Sequence, residues 1–108
     1  MDLVDIFKSL GDENRLRIVN ILLYGEFCVC EIEQILKLTQ SNASRHLNRL
    51  KMSGIIESRK RAQWIHYKIN PKFVKENDLL LNYIKQKLAE DEKFKSDIEK
   101  IKNILEKG

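Results

Sequence analysis

The chain has 108 residues, 33% of them charged, two cysteines and a formal net charge of +4, enough for one domain with a modest core. No apolar run approaches the roughly 20 residues a membrane span needs, and the N-terminus lacks a signal-peptide layout, so a cytoplasmic protein with no membrane partner is expected. Cysteines one residue apart exclude a useful disulfide framework, because so short a bridge is strained. In a reducing compartment Cys28 and Cys30 read as a soft-metal or redox pair, or as two inert thiols.

Leu3, Ile6, Phe7 and Leu10 recur at helical spacing, and Gly11 closes that first helix. Asp12 is a natural N-cap for a second, with Leu16, Val19 and Leu23 on one face and Gly25 as its stop. Val29, Ile32, Ile35 and Leu36 mark a short third helix, where Cys28 and Glu31 occupy the two positions of a capping box. After "KLT", Thr39 caps a fourth helix closed by Gly54, with Ala43, Leu47 and Leu50 on its apolar side. Ser41, Arg45 and Asn48 fall on the far side, flanked by Asn42, Ser44 and Arg49. These are donors suited to phosphates and base edges.

Two β-like runs follow, "IIESRK" and "QWIHYKI", joined near Arg61 and Ala62, with the period-2 alternation of a half-buried strand and Pro71 as the end of the hairpin. The remainder is helical. Leu81, Ile84 and Leu88 form one stripe and Phe94, Ile98, Ile101 and Leu105 another, with a break expected near Asp91. A small winged domain cannot bury such a helix alone, so these stripes are expected to form a dimer seam centred on Leu81, Ile84 and Leu88.

Charge is uneven along the chain. Residues 1–38 carry −3, residues 39–70 carry +6 with Glu57 as the one acid, and residues 71–108 carry +1. A basic block of this kind suits an anionic polymer. The third helix, a short turn and the polar-faced fourth helix make a helix-turn-helix, and the basic hairpin makes it a winged one. The expected fold is therefore mainly α with a small β-hairpin wing. It is a single domain over 1–108, with the helix-turn-helix at about 28–53, the wing at about 55–70 and C-terminal dimerisation helices at about 72–107. His46 is expected at the border of the apolar face and His66 on a wing strand, neither as a metal ligand.

"SLGDENRLRIVNILL", "CVCEIEQIL", "LTQSNASRHLNRLKMSGII" and "RKRAQWIHYKI" follow one another in an order and spacing that resemble the ArsR/SmtB family of dimeric winged-helix metalloregulatory repressors, over about residues 3–70. The resemblance implies a homodimer on double-stranded operator DNA that leaves when a toxic ion binds. It gives Gln40, Ser41, Asn42, Ser44 and Arg45 a DNA-contact role, with Asn48 and Arg49 on the same face. Arg61 at the hairpin tip takes a backbone or minor-groove role, and Cys28 and Cys30 match the Cys-Val-Cys of the arsenic-sensing branch.

Departures narrow that ligand set. Glu33 stands where three-cysteine members carry their third thiol, no cysteine precedes Cys28, and the C-terminal region has no histidine. The surviving pair suits As(III) or Sb(III), with a third ligand from solvent or a small thiol, and Cu(I) comes second. A Cu(I)- or redox-responsive regulator using the same thiols is one alternative; a thiol oxidoreductase or metal-transfer protein is another. The thiols lie in no βαβ pattern and no evident base pairs with a nucleophile, so an enzyme is not expected.

Within a regular helix, residues i and i+2 lie about 200° apart. Two thiolates on one ion lie within about 4.6 Å of each other if metal–sulfur bonds are about 2.3 Å. Ligation is therefore expected to unwind or shift the first turn of the third helix, whose N-terminus should also favour the thiolate. That helix adjoins the fourth, so distorting one misplaces the other.

Overall fold

The computed structural model describes residues 2–107, with side chains through Ile104. Among the described residues, seven helices and three strands run in the order α1 (Leu3–Leu10), α2 (Glu13–Leu22), β1 (Phe27–Cys28), α3 (Val29–Leu36), α4 (Gln40–Met52), β2 (Ile56–Arg61), β3 (Trp64–Ile69), α5 (Pro71–Glu76), α6 (Asp78–Ala89) and α7 (Glu92–Lys107).

Side-chain caps set the starts of most helices. Asp2 accepts from the Asp5 N–H at 2.8 Å, Asp12 from Arg15 at 3.0 Å and Thr39 from Asn42 at 3.2 Å, each satisfying an amide that the helix leaves without a partner. Asn70 caps α5 in the same way, with Pro71 at the first helical position. The second helix stops at Leu22 with Leu23 as its C-cap, two residues before Gly25. At the end of α4, Gly54 adopts φ 76°, and the Ile55 N–H returns to the Leu50 carbonyl at 3.1 Å. Only glycine takes that left-handed backbone without strain.

The sheet order is β1-β3-β2, all antiparallel. Its core strand pair is the expected hairpin, registered from Ile56 opposite Ile69 to Arg61 opposite Trp64. The third strand, β1, is an addition to the expected wing: Phe27 and Cys28 pair with Tyr67 and His66. The segment before α3 is thus part of the wing sheet.

Ile18, Val19, Ile21, Ile32, Ile35, Leu47, Leu50 and Ile55 are all fully buried at the junction of α2, α3, α4 and β2. The expected break falls at Asp91, between α6 and α7. The last helix then folds over α2 and α3, burying Phe94 and Ile101. Arg17 of α2 clamps it there, donating to both carboxylate oxygens of Asp97 at 2.8 and 3.0 Å and to the Leu36 carbonyl at 3.2 Å.

This arrangement corrects the expected seam. Leu81, Ile84 and Leu88 are 3%, 9% and 7% exposed within a single chain, because α7 and the chain's own core cover that face of α6. The apolar side chains left in solvent include Leu79 and Tyr83 on the opposite face of α6 and Leu3, Val4 and Phe7 on α1, with Tyr24, Met52, Trp64, Ile65 and Val74 exposed elsewhere. Leu105, the last residue of the second stripe, has its side chain outside the described residues.

Candidate nucleic-acid interface and thiol site

Recognition of an anionic polymer needs a rigid element with one buried and one polar face. Helix α4 has both. Ala43, Leu47 and Leu50 are fully buried, whereas Gln40, Ser41, Asn42, Ser44, Arg45 and Asn48 are exposed. Its approach is held by the turn Lys37-Leu38-Thr39, in which Lys37 takes the left-handed φ of 55° and the Leu38 N–H reaches the Glu33 carbonyl at 3.2 Å. Arg45 donates to Asn42 Oδ1 at 3.0 Å, which orders both side chains on the open face. Arg49 is half-buried and lies 3.5 Å from Asp5 of α1.

His46 lies inside rather than at the border, at 4% exposed, with Nδ1 3.2 Å from Arg15 Nη1 and 3.9 Å from Asp12. Burial holds its pKa below the ordinary histidine value, against the pull of Asp12 and with help from Arg45 and Arg15. Arg15 also donates to the Ser9 carbonyl at 2.6 Å, so this group ties α4 to α1 and α2. Ser9 and Ser53, both buried, are hydrogen-bonded hydroxyl to hydroxyl in the same region.

The +6 block is less bare than its sequence suggests, because acids from the N-terminal segment fold onto it. Glu26 pairs with Arg59 at 3.3 Å and Arg61 at 3.1 Å, and Asp5 faces Arg49. Arg45, Lys51 and Lys60 have no ion pair among the described residues. Arg61, expected to take a backbone or minor-groove role at the hairpin tip, is engaged with Glu26 while its side chain is 55% exposed. Sequence reasoning missed Glu26. Its one signal was the alternation Glu26, Phe27, Cys28 around a buried phenylalanine, which is strand-like.

The thiol geometry also differs from the expected one. Cys28 is the N-cap of α3, with extended backbone at φ −78° and ψ 163°, and Cys30 is the second helical residue. The 200° argument for two residues inside a helix therefore does not apply, and no helical turn separates the sulfurs by obligation. The capping box does form: Glu31 accepts from the Cys28 N–H at 2.8 Å, and the Glu31 N–H faces the Cys28 sulfur. Cys28 is half-buried and Cys30 exposed. Burial pushes the Cys28 thiol above its ordinary pKa, and the Glu31 carboxylate adds to this, outweighing the amides of Glu31 and Cys30. The expected thiolate preference at this helix end is accordingly reversed.

The family model for bacterial regulatory proteins of the arsR family matches residues 12–58. The cadmium resistance transcriptional regulatory protein CadC of Listeria innocua is 40% identical over 85 residues, covering 77% of this chain and 71% of that protein. The chain belongs to the arsR family of bacterial regulatory proteins. The arsenic resistance transcriptional regulator ArsR2 of Pseudomonas putida is 43% identical over 68 residues, 62% of this chain, and the match spans 59% of that regulator's length. Among solved structures, the homodimeric winged helix-turn-helix DNA-binding domain Mb0332 of Mycobacterium bovis superposes with a TM-score of 0.68 at 26% identity, covering 82% of each chain. In this ArsR-family chain no group of three or more His, Cys, Asp or Glu side chains among the described residues is placed to hold a metal ion.

Proposed function

We propose that this chain is a homodimeric transcriptional repressor of the cytoplasm. It binds double-stranded operator DNA through the open face of α4 and the wing, and it is released when As(III) or Sb(III) binds Cys28 and Cys30. The observation that carries this reading is the position of Cys28: it is at once the cap of α3, the helix that packs against recognition helix α4, and a paired residue of the wing sheet. A ligand there bears on both DNA-facing elements.

Gln40, Ser41, Asn42, Ser44, Arg45 and Asn48 read base edges and phosphates from α4, and Lys51 and Lys60 supply further cationic contacts. The dimer is carried by the exposed apolar residues of α1 (Leu3, Val4, Phe7) and α6 (Leu79, Tyr83). Ile6 lines a cleft with Phe73 and Asn77, which places α1 beside the α5–α6 junction. Exposed apolar faces of this kind are seldom left open by monomeric proteins. The Mycobacterium neighbour is a homodimer, and two copies would present two recognition helices to paired half-sites.

The chemistry of the thiols favours As(III). Binding of neutral As(OH)3 by two thiols forms two As–S bonds and expels two waters, and each thiol proton leaves on a departing hydroxide. No net proton is released. A Cu(I) or Cd(II) cation, by contrast, must displace both protons into solution, which the raised pKa of Cys28 penalises. The remaining arsenic position keeps a hydroxyl or takes a solvent or small-thiol ligand.

The test is operator release by As(III), Sb(III), Cu(I), Cd(II) and Zn(II), in the wild type and in Cys28→Ser and Cys30→Ser. Both variants are expected to bind the operator as the wild type does and to lose As(III) release. An induction factor of about 100 corresponds to about 2.7 kcal/mol of coupling. Release of either variant at wild-type As(III) concentrations refutes the two-thiol site. An affinity for As(III) that climbs with pH below the thiol pKa refutes the proton-neutral exchange.

A further inference from the structure

One carboxylate gathers three wing side chains. Glu26, with a side chain only 20% exposed, lies 3.3 Å from Arg59, 3.1 Å from Arg61 and 3.8 Å from His66 Nδ1. The arginines reach different oxygens, Oε1 and Oε2, so both sides of the carboxylate are in use. Glu26 immediately precedes β1 and stands two residues from Cys28, hence on the same side of the extended segment. Cys28 in turn pairs with His66.

We propose that Glu26 is a positioning residue that transmits the state of the thiol site to the arginines of the wing. The proposal rests on the inducer reading above and names how that site is coupled to DNA. Strand β1 is only two residues long, so its pairing resists displacement weakly. On its other side Gly25 has open space where a side chain would be, which lets residues 25–28 pivot as a unit. When both sulfurs close on one ion, Cys28 is fixed against Cys30, and the extended segment that carries Glu26 is fixed with it. Arg59 and Arg61 follow the carboxylate or lose it, and in either case they leave the orientation in which the wing meets DNA. The recognition helix and the wing are then misplaced by one event at one residue.

The experiment uses the full chain and Glu26→Gln, with Glu57→Gln as a charge-matched control. Glu57 borders the same cleft as Glu26 but lies on β2, the strand that does not pair with β1, and pairs with Lys68 at 3.5 Å within the hairpin. Three quantities are measured: As(III) affinity by calorimetry, the salt dependence of operator binding without inducer, and the ratio of operator Kd with and without As(III). The wing reports on itself through Trp64, the only tryptophan, which registers opposite Arg61.

Without inducer, Glu26→Gln should flatten the log–log salt slope by about 0.9 for each arginine that no longer meets a phosphate. With As(III), its affinity for the ion should match the wild type. Its induction ratio should nevertheless fall at least about fivefold, the low end of an allosteric coupling, and the As(III)-induced change in Trp64 emission should vanish. Glu57→Gln should keep the wild-type induction ratio. A salt slope equal to wild type overturns the link between Glu26 and the arginines whether or not As(III) is the inducer. A preserved induction ratio in Glu26→Gln, or an equal loss in Glu57→Gln, overturns the coupling. A wild type that binds As(III) without releasing DNA refutes the inducer reading instead, and the salt slope still decides the latch.

Discussion

Asp97→Ala should be the most damaging single truncation on the surface-spanning helix α7. Asp97 is 1% exposed and accepts two hydrogen bonds from Arg17, whose side chain is 13% exposed and also donates to the Leu36 carbonyl. Removing the carboxylate leaves a guanidinium that is mostly out of water with two neutral partners, the Leu36 carbonyl and Asn14 Oδ1, where it also had a charged one. Breaking a buried pair from one side costs about 3–5 kcal/mol. That is a large share of the roughly 5–15 kcal/mol that holds a small domain folded. At about 4–8 °C per kcal/mol for a domain of this size, the melting temperature should fall by at least about 12 °C. The double variant Arg17→Met with Asp97→Leu should recover most of that loss, because apolar side chains of similar volume need no partner. Thermal and urea unfolding of the wild type, the single variant and the double variant measure both numbers. A single variant within about 1 kcal/mol of wild type would show that solvent reaches Arg17 easily and that the pair acts as a surface bridge.

Arg45→Ala should weaken operator binding by about 1–3 kcal/mol while leaving the melting temperature and As(III) affinity unchanged, since Arg45 is exposed and bonds only Asn42; undiminished affinity at moderate salt would show that the reading face lies elsewhere. Leu79→Asp should sediment as a folded monomer, because Leu79 is 86% exposed on the proposed seam, whereas Ile84→Asp should unfold the chain by burying a charge. A dimeric Leu79→Asp refutes that seam. The depressed pKa of His46 means that its contribution to stability is present above the ordinary histidine pKa of about 6.5 and is lost as pH falls through the lower folded value. Urea titrations between pH 7.5 and about pH 5 should show a decline that His46→Gln flattens; an equal decline in the variant assigns the acid sensitivity to another group.

Local signals in the chain were enough for the elements that depend on near neighbours. Asp12 and Thr39 cap helices because an acceptor three residues before an unpaired amide satisfies it wherever the helix packs. The two faces of α4 follow from its period, and the hairpin follows from alternation. Folding had to decide everything that joins distant segments. A two-residue strand has no period to detect, so β1 emerged only when Phe27 and Cys28 met Tyr67 and His66. That pairing moved Cys28 out of the helix and changed the meaning of the Cys-Val-Cys spacing. The apparent isolation of the basic block ended when Glu26 and Asp5 reached it from more than thirty residues away in one case and more than forty in the other. The stripe on α6 is apolar in either setting, and periodicity cannot say whether such a face meets a second chain or its own. Here Phe94 and Ile101 of α7 join the core beside it, held by the buried pair between residues 17 and 97 and by the Asn20 hydrogen bond to the Phe94 carbonyl, and this left the outer faces of α1 and α6 for any partner.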